Sequence, residues 1–188
     1  IHDFPNVVDA DHFGRALQRG HHPIDMSQIP KPRIGYIGVL SDFKVDFALI
    51  LAIATRKPEW QWIFIGDERE GQHSPLVQKL YDLPNIHFLG YRQYNLLPDY
   101  LEGFNVAVLP TLINDYTQAM FPMKYFEYLA AGVPVVSTPL DFTRHHNAGL
   151  KVGSDVDSFI QAIEYQLDRG KLTPDEATLY VGENTWST

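Results

Sequence analysis

The chain contains no cysteine, which excludes a disulfide framework and zinc–thiolate sites. It also lacks an excess of positive charge. Fifteen Lys and Arg residues stand against 23 Asp and Glu, a formal net charge of -8. Such a chain has no general attraction for nucleic acid or for an anionic membrane surface, so an anionic ligand must be held by local groups. Its apolar runs never reach membrane-spanning length, and its first residues carry no signal-peptide pattern. There is no internal repeat and no low-complexity tract. Gly35 and Gly38 do not complete a G-x-G-x-x-G element, which argues against a dinucleotide-dependent dehydrogenase. The paired histidines His21-His22 and His145-His146 have no carboxylate cluster beside them, so no metal site is expected. An initiator methionine is missing too. The opening Ile1-His2-Asp3-Phe4-Pro5 reads like the middle of a longer polypeptide, and a fragment is expected.

What is present suits one α/β domain of 188 residues, 45% of them hydrophobic. Residues 1–31 are polar and rich in turn formers, and read as a linker or edge decoration with a short helix over 11–18. Residues 32–170 form the domain proper, and 171–188 a C-terminal helix or tail. Within the domain, strands are expected at 33–40, 60–65, 86–89, 106–109, 133–137 and 150–152. Helices are expected from Asp46 through Ala54, from Ser74-Pro75 onward, at 96–102, at 123–131 with Gly132 as the stop, and at 155–167. Strands alternating with helices imply a three-layer, Rossmann-like fold with a mostly parallel sheet. Ligands of such folds bind beyond the carboxyl ends of the strands. The loops to inspect therefore follow Leu40, Gly66, Gly90, Pro110 and Thr138.

The strongest local signal is Phe121-Pro122-Met123-Lys124 running into Glu127-Tyr128-Leu129-Ala130-Ala131-Gly132. Pro122 suits a helix start, which places Lys124 beside unpaired main-chain N–H groups, a setting that favours an anion. Glu127 falls three residues on, on the same side of the helix, where a carboxylate could accept ribose hydroxyls. The alternative on residue types alone is an ordinary Lys–Glu pair on a solvated helix.

Several blocks resemble the C-terminal domain of GT-B glycosyltransferases of group 1, of the bacterial exopolysaccharide and teichuronic-acid type. Phe4-Pro5-Asn6-Val7-Val8-Asp9 is similar to that domain's opening, with Val7 in place of a glycine. Asn85-Ile86-His87-Phe88-Leu89-Gly90-Tyr91, Asn105-Val106-Ala107-Val108-Leu109-Pro110 and the Glu127–Val136 stretch resemble its later strands and its helix–turn–strand signature. The resemblance implies a domain that binds a nucleoside-diphosphate sugar, a UDP-sugar above all, for transfer of a hexosyl group. It implies a diphosphate cradle at Met123 and Lys124, ribose binding by Glu127, base binding at Tyr91 and Arg92, and sugar contacts in the loop that holds Asn114, Asp115, Tyr116, Thr117 and Gln118. Lys44 is a further phosphate candidate. Two positions depart from the pattern: Ala119 stands where relatives carry a first glutamate, and Val39 where they carry an arginine. No cofactor or metal is implied. The acceptor site and any general base are expected in a preceding Rossmann-like domain, so this chain alone should be inactive. The setting implied is cytoplasmic, and compatible with peripheral attachment to the inner membrane face through that other half. The alternatives are a nucleotide-sugar epimerase of the same architecture and a non-catalytic domain with a decayed site.

Overall fold

The computed structural model describes residues 8–18, 20, 23–68 and 74–182. The segment before the sheet, expected as a linker or edge decoration, forms two short helices, α1 (Ala10–Phe13) and α2 (Ile24–Ser27). A 3₁₀ turn, Gly14–Leu17, follows α1. Asp9 caps α1, its Oδ1 accepting from the His12 amide at 3.0 Å. Val8, Phe13, Ala16, Met26 and Ile29 from this stretch are all buried in the core.

The sheet follows in β1 (Arg33–Ile37), β2 (Gln61–Ile65), β3 (Ile86–Gly90), β4 (Val106–Leu109), β5 (Val135–Ser137) and β6 (Leu150–Val152). All six strands are parallel, in the order β3-β2-β1-β4-β5-β6. The interleaved helices are α3 (Phe47–Arg56), α4 (Pro75–Tyr81), α5 (Leu97–Glu102), α6 (Lys124–Ala130), α7 (Val156–Arg169) and α8 (Pro174–Val181). One apolar cluster lies between the sheet and α1, α2, α5, α6 and α8, with Phe13, Met26, Leu101, Leu129 and Val181 among its members. A second joins the opposite face to α3, α4 and α7 through Phe47, Ile53, Leu80, Phe159 and Ile163. The result is the expected three-layer α/β domain. Parallel strands covered on both faces must be apolar on both, which explains the unbroken WIFI and VAVL runs.

Local chemistry sets the boundaries. Asp46 caps α3 through Leu49, Oδ1 to N at 3.0 Å. Asp155 and Thr173 open α7 and α8 with reciprocal capping boxes. Ser74 occupies the cap position of α4 with Pro75 next, but its side chain makes no capping bond; instead its amide donates to Glu68 Oε2 at 3.2 Å. β1 ends at Ile37 rather than running to residue 40, because the chain turns at Gly38. Trp60, expected in β2, closes a turn on Lys57 instead. No helix among the described residues is long and apolar enough to cross a membrane.

Candidate functional site

Strand order reverses between β1 and β4, and the carboxyl edge of the sheet at such a point is where ligands of this architecture bind. A cleft of about 480 Å³ lies on the β1 side of this point, a volume typical of small-molecule sites. Ile37, Gly38 and Val39 line it from the end of β1, and Ile65, Gly66, Asp67 and Glu68 from the end of β2. Tyr91, Arg92, Tyr94 and Leu97 close the β3 side, and Lys124 enters from α6. The floor is main chain, with Gly38 N bonded to Ile65 O and Gly66 N to Gly90 O, each at 2.9 Å. Gly66 sits at φ 136°, and a Cβ there would meet Gly38 O at 1.9 Å. No other residue permits this approach of β2 to β1.

Lys124 begins α6, with Met123 at the cap position and no side chain capping the helix. The amides of Met123 and Lys124 have no main-chain acceptor among the described residues. Lys124 Nζ donates to Glu127 Oε2 at 2.6 Å. The pair is not on an open helix face, since the Lys124 and Glu127 side chains are 31% and 15% exposed. Of the sequence-predicted group Met123, Lys124 and Glu127, only Lys124 lines the cleft; Glu127 adjoins it through the Lys124 ammonium, and its second carboxylate oxygen makes no hydrogen bond among the described residues. Glu127 also acts across the cleft. The Tyr94 hydroxyl is held above its ordinary pKa by burial first, then by the negative charges of Asp9 and Glu127.

Arg92 lines the cleft, but its nitrogens are engaged. Nε donates to the Tyr100 hydroxyl at 2.7 Å, Nη1 to Tyr91 O at 2.9 Å and Nη2 to Asp25 Oδ2 at 2.9 Å. The bond to Tyr100, followed by that to Asp25, raises the guanidinium pKa further. Arg92 thus fixes the loop after β3 rather than presenting an open fork. Tyr91 beside it is 67% exposed, an open aromatic face at the cleft mouth. Tyr94 is positioned by the N-terminal segment, its ring stacked on His12 at 4.2 Å between centroids. α1 and α2 therefore build the β3 side of the site through His12 and Asp25, a role the turn-rich composition of this stretch does not announce.

The remaining candidates lie outside the cleft lining, on two loops beyond β1 and β4. These loops are joined by an antiparallel bridge between Val45 and Thr111 and by Leu112 N to Lys44 O at 2.6 Å. Asp46 N also bonds Pro110 O at 2.8 Å, and Asn114 Nδ2 reaches Phe43 O at 3.4 Å. Lys44 Nζ stands 5.7 Å from the centroid of the Tyr116 ring, which packs edge-on against Phe43. Thr117 is fully buried and donates its hydroxyl to Leu112 O, so it shapes the loop. Asn114 Oδ1 accepts from the Tyr116 and Thr117 amides, both at 2.9 Å. Gln118 is exposed, and its carbonyl accepts from Asp141 N at 3.0 Å. Ala119 is exposed nearby and Val39 lines the cleft. Asp67 and Glu68, which no motif singles out, line the cleft from the loop after Gly66. His146 lies among Phe121, Tyr125, Phe126 and Phe142. His21 and His22, and Phe4 to Val7 of the opening block, fall outside the described residues. Among the described residues no group of three or more His, Asp or Glu side chains could hold a metal ion.

Residues 31–169 match the family of glycosyl transferases group 1. Over 111 residues, 58% of the chain, it is 39% identical to TuaH of Bacillus subtilis (strain 168), a glycosyltransferase named for teichuronic acid biosynthesis, of which that stretch covers 27%. In fold it is similar to Anabaena Alr3699/HepE solved with UDP and glucose, at TM-score 0.69 and 17% identity over 95% of this chain and 51% of that one. It is also similar to the C-terminal domain of a group 1 glycosyl transferase, LpcC, from Francisella tularensis, at TM-score 0.62 and 17% identity over 93% and 96%. The chain spans about half the length of HepE and nearly all of the isolated LpcC domain. Expected fold and observed sheet meet in this match, and the chain belongs to the glycosyl transferases of group 1, with the architecture of their C-terminal domain.

Proposed function

We propose that the cleft binds the nucleoside diphosphate of a sugar donor, UDP in the first instance, and that this chain is the donor-binding part of a hexosyltransferase. The observation that carries this reading is Lys124 entering the cleft where β1, β2 and β3 end, with Glu127 bonded to its ammonium and the open amides of Met123 and Lys124 at the same helix start. Lys124 and the amides meet the diphosphate, a compact anion that a chain of net charge -8 can hold only locally. Glu127 accepts from the ribose with the oxygen that Lys124 leaves free. Tyr91 offers its face to the base, and Arg92 holds that loop in place. The tyrosine and leucine side chains of the β3 side give the base an apolar bed.

In transfer, the bond between the sugar and the distal phosphate breaks, and negative charge grows on the departing UDP. The same ammonium and amides then stabilise the transition state more than the ground state. No metal is required for that task, since its positive charge is supplied by Lys124. The acceptor site and any general base belong to the rest of the enzyme, and transfer needs both parts. HepE, similar in fold, was solved with UDP and with UDP-glucose, which supports the choice of nucleotide. Titration calorimetry with UDP tests the reading. Binding is expected, and Lys124→Ala should weaken it by roughly 1.5–3 kcal/mol, the contribution of a charge-assisted hydrogen bond. A folded Lys124→Ala variant with unchanged affinity would overturn it.

A further inference from the structure

β1 and β4 pair only through Ile34–Val106 and Gly35–Ala107. Beyond Gly35 the two strands part, because β4 continues beside β5 as far as Leu109–Ser137. Amides along a strand face alternate edges, and Gly38 N is spent on Ile65 of β2. The Ile37 amide therefore points toward β4, where strand pairing has ended. A buried N–H at this place needs an acceptor. It finds the hydroxyl of Tyr128, at 3.1 Å, on a side chain that is completely buried.

We propose that Tyr128 is a positioning residue for the donor site, its hydroxyl locking the rotation of α6 against the end of β1. The proposal rests on the donor reading above. Tyr128 follows Lys124 by four residues and Glu127 by one, so a helix pinned at Tyr128 has the directions of both charged side chains set. The pinned atom precedes Gly38 and Val39, which line the opposite wall of the cleft. One hydroxyl thus fixes the spacing between the Lys124–Glu127 edge and the glycine floor. It takes the place of a strand carbonyl at the point where the switch in strand order removes one. A phenylalanine would fill the same volume and leave the Ile37 amide unpaired.

Tyr125 provides the control. It is buried on the same helix and donates its hydroxyl to Ala148 O at 2.6 Å, away from the cleft. Tyr128→Phe and Tyr125→Phe each delete one buried hydroxyl from α6. Both should fold with a modest loss of stability, but only Tyr128→Phe should lose UDP affinity, by about tenfold, the factor that 1.4 kcal/mol represents. Native-state hydrogen exchange supplies a readout independent of UDP: the Ile37 amide should exchange faster relative to Gly35 in Tyr128→Phe and not in Tyr125→Phe. Equal UDP affinities in the two variants would overturn the inference and leave the donor reading standing. Wild-type protein that binds no UDP would overturn both.

Discussion

Arg92 gives its guanidinium to Asp25, a residue 67 positions earlier in the chain, at 2.9 Å between Nη2 and Oδ2. An arginine at the mouth of an anion site would ordinarily be read as a ligand. Here it is a strut between the N-terminal segment and the loop after β3. Asp25→Ala should therefore act first on stability, by about 1 kcal/mol, because the pair is partly solvent-exposed. UDP affinity should fall only slightly. Denaturant unfolding and calorimetry measure the two effects, and a variant of unchanged stability that binds UDP more tightly would show that Arg92 is a ligand held in reserve.

Glu127 keeps one oxygen on Lys124, and the proposed site gives the other to the ribose. Wild type should prefer UDP to its 2′-deoxy form, because the deoxy ligand leaves a carboxylate lone pair unmet. Glu127→Gln keeps the shape and should cost roughly 1–2 kcal/mol of UDP affinity. Glu127→Ala should lose most of the preference for the 2′-hydroxyl. Equal discrimination in wild type and Glu127→Ala would remove Glu127 from the ribose.

UDP affinity should be nearly the same in excess EDTA as in magnesium at about millimolar concentration, the range in which weak hydrated-ion sites fill. In the proposed site Lys124 supplies the positive charge, and the acids of the cleft, Asp67 and Glu68, stand on the loop after β2, with Glu68 already bonded to Ser74. A large magnesium-dependent gain, abolished by Asp67→Asn, would assign the loop a metal-binding role.

Stability should decline on acidification below neutrality. Burial holds His87 below the ordinary histidine value of 6.5, and burial together with the neighbouring His145 does the same to His146. The unfolded chain then binds more protons than the folded one, so stability rises with pH. The loss begins as pH falls through 6.5, the unfolded value, and is complete only below the depressed folded values. Thermal melts across this range provide the check. His146→Phe, which suits the aromatic surroundings, should flatten the slope; an unchanged slope would place the proton uptake at His87 or elsewhere.

Gly66→Ala should destabilise the domain by about 3 kcal/mol or more, since strained backbone and overpacking act together. The added Cβ would strike Gly38 O rather than a movable side chain. Gly170→Ala is a useful contrast, because its φ of 78° is also unfavourable to a side chain while no atom lies within 4 Å of the added carbon. Unfolding curves that place both variants at equal stability would mean that β2 can withdraw from β1.

The elements that proved legible are those whose signals are local. Val106–Leu109 is an apolar run closed by Pro110, and the Asp46 cap stands beside its own helix. Lys124 and Glu127 were legible as a pair because three residues on a helix bring side chains together. What escaped depends on partners far apart in sequence. Nothing near Asp25 indicates Arg92, and nothing near His12 indicates Tyr94. α2 has only four residues, too few for a periodicity to emerge. Trp60 carries strand-like chemistry, but the turn onto Lys57 takes it first. Thr117 looks like any polar loop residue, and only its complete burial shows that its hydroxyl serves the loop itself.

The bridge between Val45 and Thr111 has a practical meaning for anyone who would rebuild this domain. The loops after β1 and β4 are separate in the gene and single in the protein. A chimera that imported only the later loop from a relative would leave Lys44 O and the Asp46 amide searching for partners they now find in Leu112 and Pro110. Residues 39–46 and 110–117 therefore act as one unit, and an exchange of either loop is best made with both halves at once.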